Sequence, residues 1–441
     1  MAFALIVFFA GRWMFDKLNS GILAAGGTIL LFLSVPLLHV SRYMWTEMLF
    51  ILFLLLFYIE FERYLQKGRF GSLVLAAVFS ALVCTARYAG VTVVAAAALF
   101  LLFTKKSILK KITDIAFYGA LSVLPMGIWV LRNYMVSGTL LGVRLPSTYT
   151  LRQNIDRTLK SVYTWVQPDK LLTQNINGTL LYVLKSFAVL LPLALACAFA
   201  VVLVRSLVDY NPLRKLSWER SSGSELSSES ERLLPILFFV AYSAIYIVYL
   251  IASATLVAFE PINNRYLAPV YLPVLLSLFI AADYLHERIK ARINPKLAGF
   301  FTYALLALFL IYPALNSAAF TVNNRRIGAG GFASDVWHER DGFIKYMDYS
   351  GRYTYYSNCA DAVYVLTGIR TYCIPKRSGP YMYGLEQFKA AVSRDENSYI
   401  IWFDSGVPPT LYNLEDIAGM YVLEESGSFG YGNVYRIAAP R

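Results

Sequence analysis

HVSRYMWTEMLFILFLLLFYI, residues 39–59, begins polar and ends as an unbroken apolar run. Between Glu47 and Glu60 the segment carries no charge. Such a stretch suits a bilayer crossing, and an ionisable group at the threshold of lipid is costly and usually functional. Arg42 and Glu47 stand at that threshold.

The rest of the chain repeats the pattern. The 441 residues are 57% hydrophobic and 15% charged, with a mean hydropathy of +0.52, a composition outside that of soluble proteins. Further apolar runs lie at about 21–40, 71–87, 90–104, 113–131, 179–204, 233–257, 266–284 and 297–318. With 46–60 and a short opening run, Ala2 to Ala10, they predict a polytopic α-helical membrane protein of about ten spans. The opening run is too short to cross alone and lacks the flanks of a signal peptide. It reads either as an interfacial start or as the end of a chain lacking one N-terminal span and its external loop.

Lys and Arg fix the expected orientation, because cytoplasmic loops retain them. They collect at Arg12 and Lys17, at Arg63 to Arg69, at Lys105 to Lys111, at Arg205 to Arg232 and at Arg288 to Lys296. The intervening connections hold single cations, Arg42, Arg87 or Arg265, and are predicted outside, with the loop 132–178 and everything after the membrane domain, 1–318. The net charge of +12 is then mostly a topology signal, and its dispersal over loops speaks against nucleic acid as a partner.

Three polar regions interrupt the spans. The Ser- and Glu-rich stretch within 207–231 reads as a cytoplasmic linker. In LRQNIDRTLKSVYTWV, 151–166, Leu151, Ile155, Leu159, Val162 and Val166 recur at helical spacing opposite Arg152, Arg157 and Lys160. That is an amphipathic helix, lying on the outer leaflet or packed against the tail domain. Residues 319–441 alternate short strands (YTYYSN, TYCIP, YIIWFDS, NVYRIA) with helical patterns (ADAVYVLTG, LEQFKAAV, LEDIAGM), predicting a small extracytoplasmic α/β domain. Cys84 and Cys197 fall in spans, whereas Cys359 and Cys373 fall in the tail domain, where an oxidising compartment permits a disulfide.

No phosphate-binding loop, H-E-x-x-H, C-x-x-C or G-x-S-x-G motif is present. Chemistry is left to charged residues at the outer ends of spans: Glu47, Arg87 in CTARYAG, Lys185 about two turns into its span, and Arg265 in NNRYLAP. Three cations at one leaflet level can hold a phosphate whose tail lies in the bilayer. A nearby carboxylate can bind a divalent metal or take a hydroxyl proton, which makes Glu47 the candidate catalytic residue and metal ligand.

In chain order, SRYMWTEMLFILFLLLFYI (41–59), LVCTARYAG (82–90), NNRYLAPVYLPVLL (263–276) and YYSNCADAVYVLTGIRTYCIP (355–375) resemble segments of multi-span GT-C glycosyltransferases. The likeness is to the family-39 protein mannosyltransferases and the aminoarabinose transferases. It implies transfer of a sugar from a polyprenyl-phosphate donor to a lipid, glycan or protein acceptor at the outer face of the cell membrane, with inversion. It also implies that Glu47 matches the acidic residue beside the donor site and Arg265 the basic residue near the donor phosphate. The family's principal acid, an Asp in the first external loop, has no counterpart, since that loop would precede Met1.

The chemistry suits these residues: a departing polyprenyl phosphate needs cations to receive it, and an acceptor oxygen needs a base. The rival expectation is a non-enzymatic lipid or polysaccharide transporter or scaffold. A transporter predicts ionisable residues threading toward the cytoplasmic side.

Overall fold

The computed structural model describes residues 1–441 apart from 44, 105, 143, 145, 210–227, 259, 328–330, 333, 378–383, 395–396, 405–409 and 441. The linker expected within 207–231 therefore falls largely outside the described residues. The chain divides into two compact units, Met1–Gly142 with Pro146–Thr321, and Val143–Leu145 with Val322–Arg441.

The first unit is helical. Its elements are α1 (Ala2–Lys17), α2 (Gly21–Phe32), α3 (Val35–Ser41), α4 (Glu47–Lys67), α5 (Phe70–Ala86), α6 (Val91–Leu102), α7 (Ile108–Ser137), α8 (Leu151–Tyr163), α9 (Lys170–Asn175), α10 (Gly178–Asp209), α11 (Ser228–Leu256), α12 (Asn264–Lys290) and α13 (Pro295–Ile327). Each apolar run of the sequence is helical. The opening run extends beyond its expected end to Lys17, because Trp13 and Met14 continue the buried stripe of Ile6 and Ala10. Local chemistry sets the breaks. The Ser34 side chain accepts from the Leu37 N–H beside Pro36, and α2 and α3 meet there at 43°. Gly68 and Gly138 end α4 and α7 in the left-handed conformation.

Among the described residues, five helices are long and apolar enough to cross a membrane: α7, residues 178–201 of α10, 234–256 of α11, α12, and 295–325 of α13; the bent pair α2–α3 makes a sixth if it is one span. Most of α12 is buried, whereas α7, α10 and α13 leave most of their length exposed. Outward side chains such as Ile128, Leu190, Val248 and Phe300 are apolar. An apolar surface of this extent marks a membrane protein.

Ionic groups are buried at both ends of this unit. At one end the Glu62 carboxylate accepts from Trp13 Nε1 at 2.9 Å and pairs with Lys17 at 2.9 Å, tying α4 to α1. Asp114 pairs with Lys106 at 3.1 Å and Lys110 at 2.7 Å. Asp283 accepts the backbone N–H groups of Asn19 and Ser20 at 3.0 and 2.9 Å, fixing the start of α2 against α12. Glu47 lies at the opposite end of α4 from Glu62, about 22 Å away at roughly 1.5 Å per residue.

The second unit carries α14 (Asp335–His338), β1 (Thr354–Ser357), α15 (Ala360–Thr367), β2 (Thr371–Cys373), α16 (Leu385–Val392), β3 (Ser398–Phe403), α17 (Leu414–Met420), β4 (Tyr421–Phe429) and β5 (Gly432–Pro440). The sheet order is β2-β1-β3-β5-β4. β1 runs parallel to β2 and β3, and β5 antiparallel to β3 and β4. β3 is apolar from Ile400 to Phe403 because both its faces are covered: Ile400 and Trp402 pack on one side, Ile401 and Phe403 on the other. β4 was not legible in the sequence. It is an edge strand whose Glu424 and Glu425 are not buried, so it lacks the apolar signature of its neighbours.

One glycine shapes the first unit. After α5 the chain makes a tight turn, Tyr88–Gly90, into α6, and a Cβ on Gly90 would stand 2.5 Å from the Cys84 Cα and 2.6 Å from its N. Those atoms are backbone and cannot rotate away. Gly90→Ala is therefore expected to cost about 1 to 3 kcal/mol, read as a lower melting temperature of the detergent-solubilised chain; an unchanged melting curve would show that the turn relaxes freely.

Candidate functional site

Three helix ends meet at Glu47. Glu47 is the first residue of α4, Arg87 follows the last residue of α5, and Arg265 is the second residue of α12. The residue before Glu47, Thr46, makes no side-chain cap, and the Glu47 carboxylate turns across to the other helices instead. Its Oε1 accepts from Arg87 Nη1 and from Arg265 Nε. Its Oε2 is buried without a hydrogen-bond partner among the described residues.

Aromatic faces hold the two guanidiniums. Arg265 Cζ lies 4.4 Å from the Trp45 ring centroid, and Arg87 Cζ lies 5.2 Å from that of Tyr266. Tyr246 Oη donates to the Tyr266 carbonyl at 2.8 Å, and Tyr266 Oη donates to Glu260 at 2.8 Å. Glu260 also stands 3.7 Å from Arg265 Nη1. Access is graded: the Glu47 side chain is 0% exposed, Arg87 16%, Arg265 26% and Glu260 67%. The cations are what a ligand can reach, and Glu47 lies behind them.

Of the four sequence-predicted residues, the structure brings together Glu47, Arg87 and Arg265. Lys185 does not join them. Its ammonium donates to Tyr163 Oη of α8 and sits 4.4 Å from the same ring. Placement at one end of the spans fixes depth and says nothing of position around the bundle, which is why Lys185 was grouped with the others. Glu47 is wholly buried. No group of three His, Cys, Asp or Glu side chains occurs among the described residues, and two guanidiniums against one oxygen oppose the divalent metal expected at Glu47.

Sequence reading passed over Trp45, Tyr246 and Glu260; the only signal for Glu260 was its place five residues before Arg265 in EPINNR. It also missed a cavity of about 510 Å³ beside α8, bounded by His39, Arg157, Lys160 and Asn263 among others. The helix itself is reversed with respect to the rule for water-soluble proteins. Asn154, Thr158 and Ser161 are its buried residues, whereas Leu151, Ile155, Leu159 and Val162 are exposed. Asn154 donates to Thr255 Oγ1 of α11 at 3.0 Å, and Trp165, just beyond α8, donates to Asn264 at 2.9 Å.

In the second unit Cys359 precedes α15 and Cys373 ends β2, and both are free thiols, unlike the disulfide expected. Burial raises both above the usual thiol range, and Cys373 adds to the shift at Cys359, so the two are neighbours.

No family model, curated protein or solved structure matches this chain. Function is therefore read from the residues and their geometry.

Two outcomes follow from the geometry. Glu47→Ala leaves two guanidiniums packed together without their shared counter-charge and is expected to cost about 3 to 5 kcal/mol; a detergent melting temperature equal to that of the parent would reject the carboxylate as the tie between α4, α5 and α12. Alkylation of Cys359 and Cys373 in the folded protein is expected to lag behind free cysteine at neutral pH and to accelerate as the pH passes the usual thiol range, about 8.5. Rapid labelling at pH 7 contradicts this, and an intact mass of an oxidised pair would identify a bridge.

Proposed function

We propose that this chain is a membrane-embedded glycosyltransferase that takes a sugar from a polyprenyl-phosphate donor at the extracytoplasmic face, with the guanidiniums of Arg87 and Arg265 receiving the departing phosphate. The observation that carries this reading is the convergence of those two guanidiniums on one carboxylate at one end of the helical unit. They are partly exposed and aromatic-backed, and Arg matches phosphate oxygens with its fork of donors. In this reading Glu47 is a positioning residue that keeps both cations in place. Displacement at the anomeric carbon needs a base for the acceptor oxygen, and the Glu47 burial argues that this base is another group.

Ten crossing segments belong to the same proposal: α1, the α2–α3 pair, α4, α5, α6, α7, α10, α11, α12 and α13. The Lys and Arg distribution supports placing 132–178 and the C-terminal unit outside. The acceptor is a lipid, glycan or protein presented at that face. Transport is disfavoured by the sequence between the ionic ends: α4 from Met48 to Ile59 and α12 from Tyr266 to Ala282 contain no Asp, Glu, Lys, Arg or His. A polar path through the membrane normally carries such groups.

Arg265→Ala and Arg87→Ala are each expected to weaken use of a polyprenyl-phosphate sugar on the order of 10- to 100-fold, the loss of a charge-assisted contact to phosphate. Arg265→Lys should restore part of it, since ammonium replaces the charge without the fork. Transfer of radiolabelled sugar in membranes measures this; donor dependence unchanged from the parent in both alanine variants would reduce the pair to structural ions.

A further inference from the structure

The cavity beside α8 adjoins the Glu47 cluster through Asn263, which accepts from the Arg265 N–H, but Glu47, Arg87 and Arg265 are not among its lining residues, and the reading above does not use it. Its volume of about 510 Å³ lies within the span of small-molecule sites, roughly 300 to 1,000 Å³. Its walls come from one face of α8 with the turn that follows, from α3, and from the segment entering α12. None of the lining residues is acidic.

Its polar groups are disposed as donors. Arg157 Nη1 is buried without a hydrogen-bond partner among the described residues. The same guanidinium lies 3.6 Å from the Tyr149 ring centroid, which restricts where it can turn. Lys160 supplies a second cation one helical turn on. The Asn263 carboxamide oxygen already accepts from the Arg265 N–H at 3.0 Å, and that of Asn264 accepts from Trp165 at 2.9 Å. Each carboxamide also has its NH2 group to donate. Two cations and two amide donors without a carboxylate make an anion site, and a buried guanidinium nitrogen lacking a partner is the group such a ligand would satisfy.

Orientation decides between a free anion and a lipid. α8 packs Asn154, Thr158 and Ser161 inward, Asn154 against the end of α11, and exposes Leu151, Ile155, Leu159 and Val162 together with Arg152, Asp156 and Lys160. A helix turned this way at the end of a membrane-crossing helix is suited to the interface, with its apolar face among acyl chains. The cavity behind it then sits at headgroup level. We propose that it is a second anion site and binds the phosphate headgroup of a membrane lipid. This does not depend on the glycosyl-transfer reading.

The test is lipid binding by the full chain in detergent, followed by native mass spectrometry with phosphatidic acid, phosphatidylcholine of the same acyl chains, and inorganic phosphate. Phosphatidic acid is expected to bind at least about 10-fold tighter than phosphatidylcholine, and Arg157→Gln and Lys160→Gln each to lose on the order of 10-fold. Arg152→Gln, exposed on the same helix and outside the cavity lining, should bind as the parent does. Lys160 is exposed, so its variant reports even where Arg157→Gln fails to fold. Equal binding of the two lipids, or parent-like affinity in Lys160→Gln, overturns the proposal. Loss confined to Arg265→Ala would assign the binding to the Glu47 cluster and overturn it equally, and competition by inorganic phosphate at equal affinity would make the occupant a free anion.

Discussion

A carboxylate with no exposure must find a positive charge, and Glu47 finds two. That requirement organises one end of the helical unit. Burying a lone carboxylate is prohibitive, whereas a paired and hydrogen-bonded one is tolerated. The tie draws the start of α4, the end of α5 and the start of α12 to one point. Gly90 permits the turn that aims Arg87 there, and the stacking of Arg265 on Trp45 limits the guanidinium's freedom. Functional groups held this way are pre-positioned, because geometry that the fold enforces need not be assembled when a ligand arrives.

The same rule operates at the far end of α4, where Glu62 takes Trp13 and Lys17, and at Asp114 and Asp283. Between the two ends the packing is apolar and aromatic, with Phe50, Leu54 and Phe57 of α4 buried. Ionic ends separated by an apolar middle are what lipid as a solvent selects. α8 obeys the same solvent. Its serine, threonine and asparagine pack inward because backbone and side-chain partners wait there, and its leucines turn outward because lipid, unlike water, does not penalise them.

Much of this was legible in the sequence. Runs of apolar residues marked the helices, and the alternation of short strands with helical patterns marked the C-terminal sheet, since both periods follow from backbone geometry. The common depth of Glu47, Arg87 and Arg265 was also legible, because a span boundary is a statement about depth. Azimuth was not, and so Lys185 was grouped with a cluster it does not join. The burial of Glu47 was equally hidden: nothing local to WTEMLF says that two guanidiniums from distant segments will close over the carboxylate. β4 escaped because an edge strand with exposed glutamates carries a weak pattern, and the cavity because its walls come from three separated segments.

Charge balance distinguishes the two cationic places in the helical unit. Arg87 and Arg265 are already answered by Glu47 and, at 3.7 Å, by Glu260. In the proposed reading, a phosphate at Arg265 would have to take the place of a carboxylate. The two carboxylates differ in how readily they yield. Glu47 is buried and shared, so displacing it strands charge; Glu260 is largely exposed, and an exposed pair is worth only about 0 to 1 kcal/mol. In the proposed reading, exchange at Arg265 would therefore displace Glu260 and leave Glu47 in place to hold both guanidiniums. The cavity lined by Arg157 and Lys160 has no carboxylate to displace. Its cost is of the opposite kind, a buried guanidinium nitrogen with no hydrogen-bond partner among the described residues, so the affinity of the proposed anion would be set by what the ligand supplies and not by what it removes.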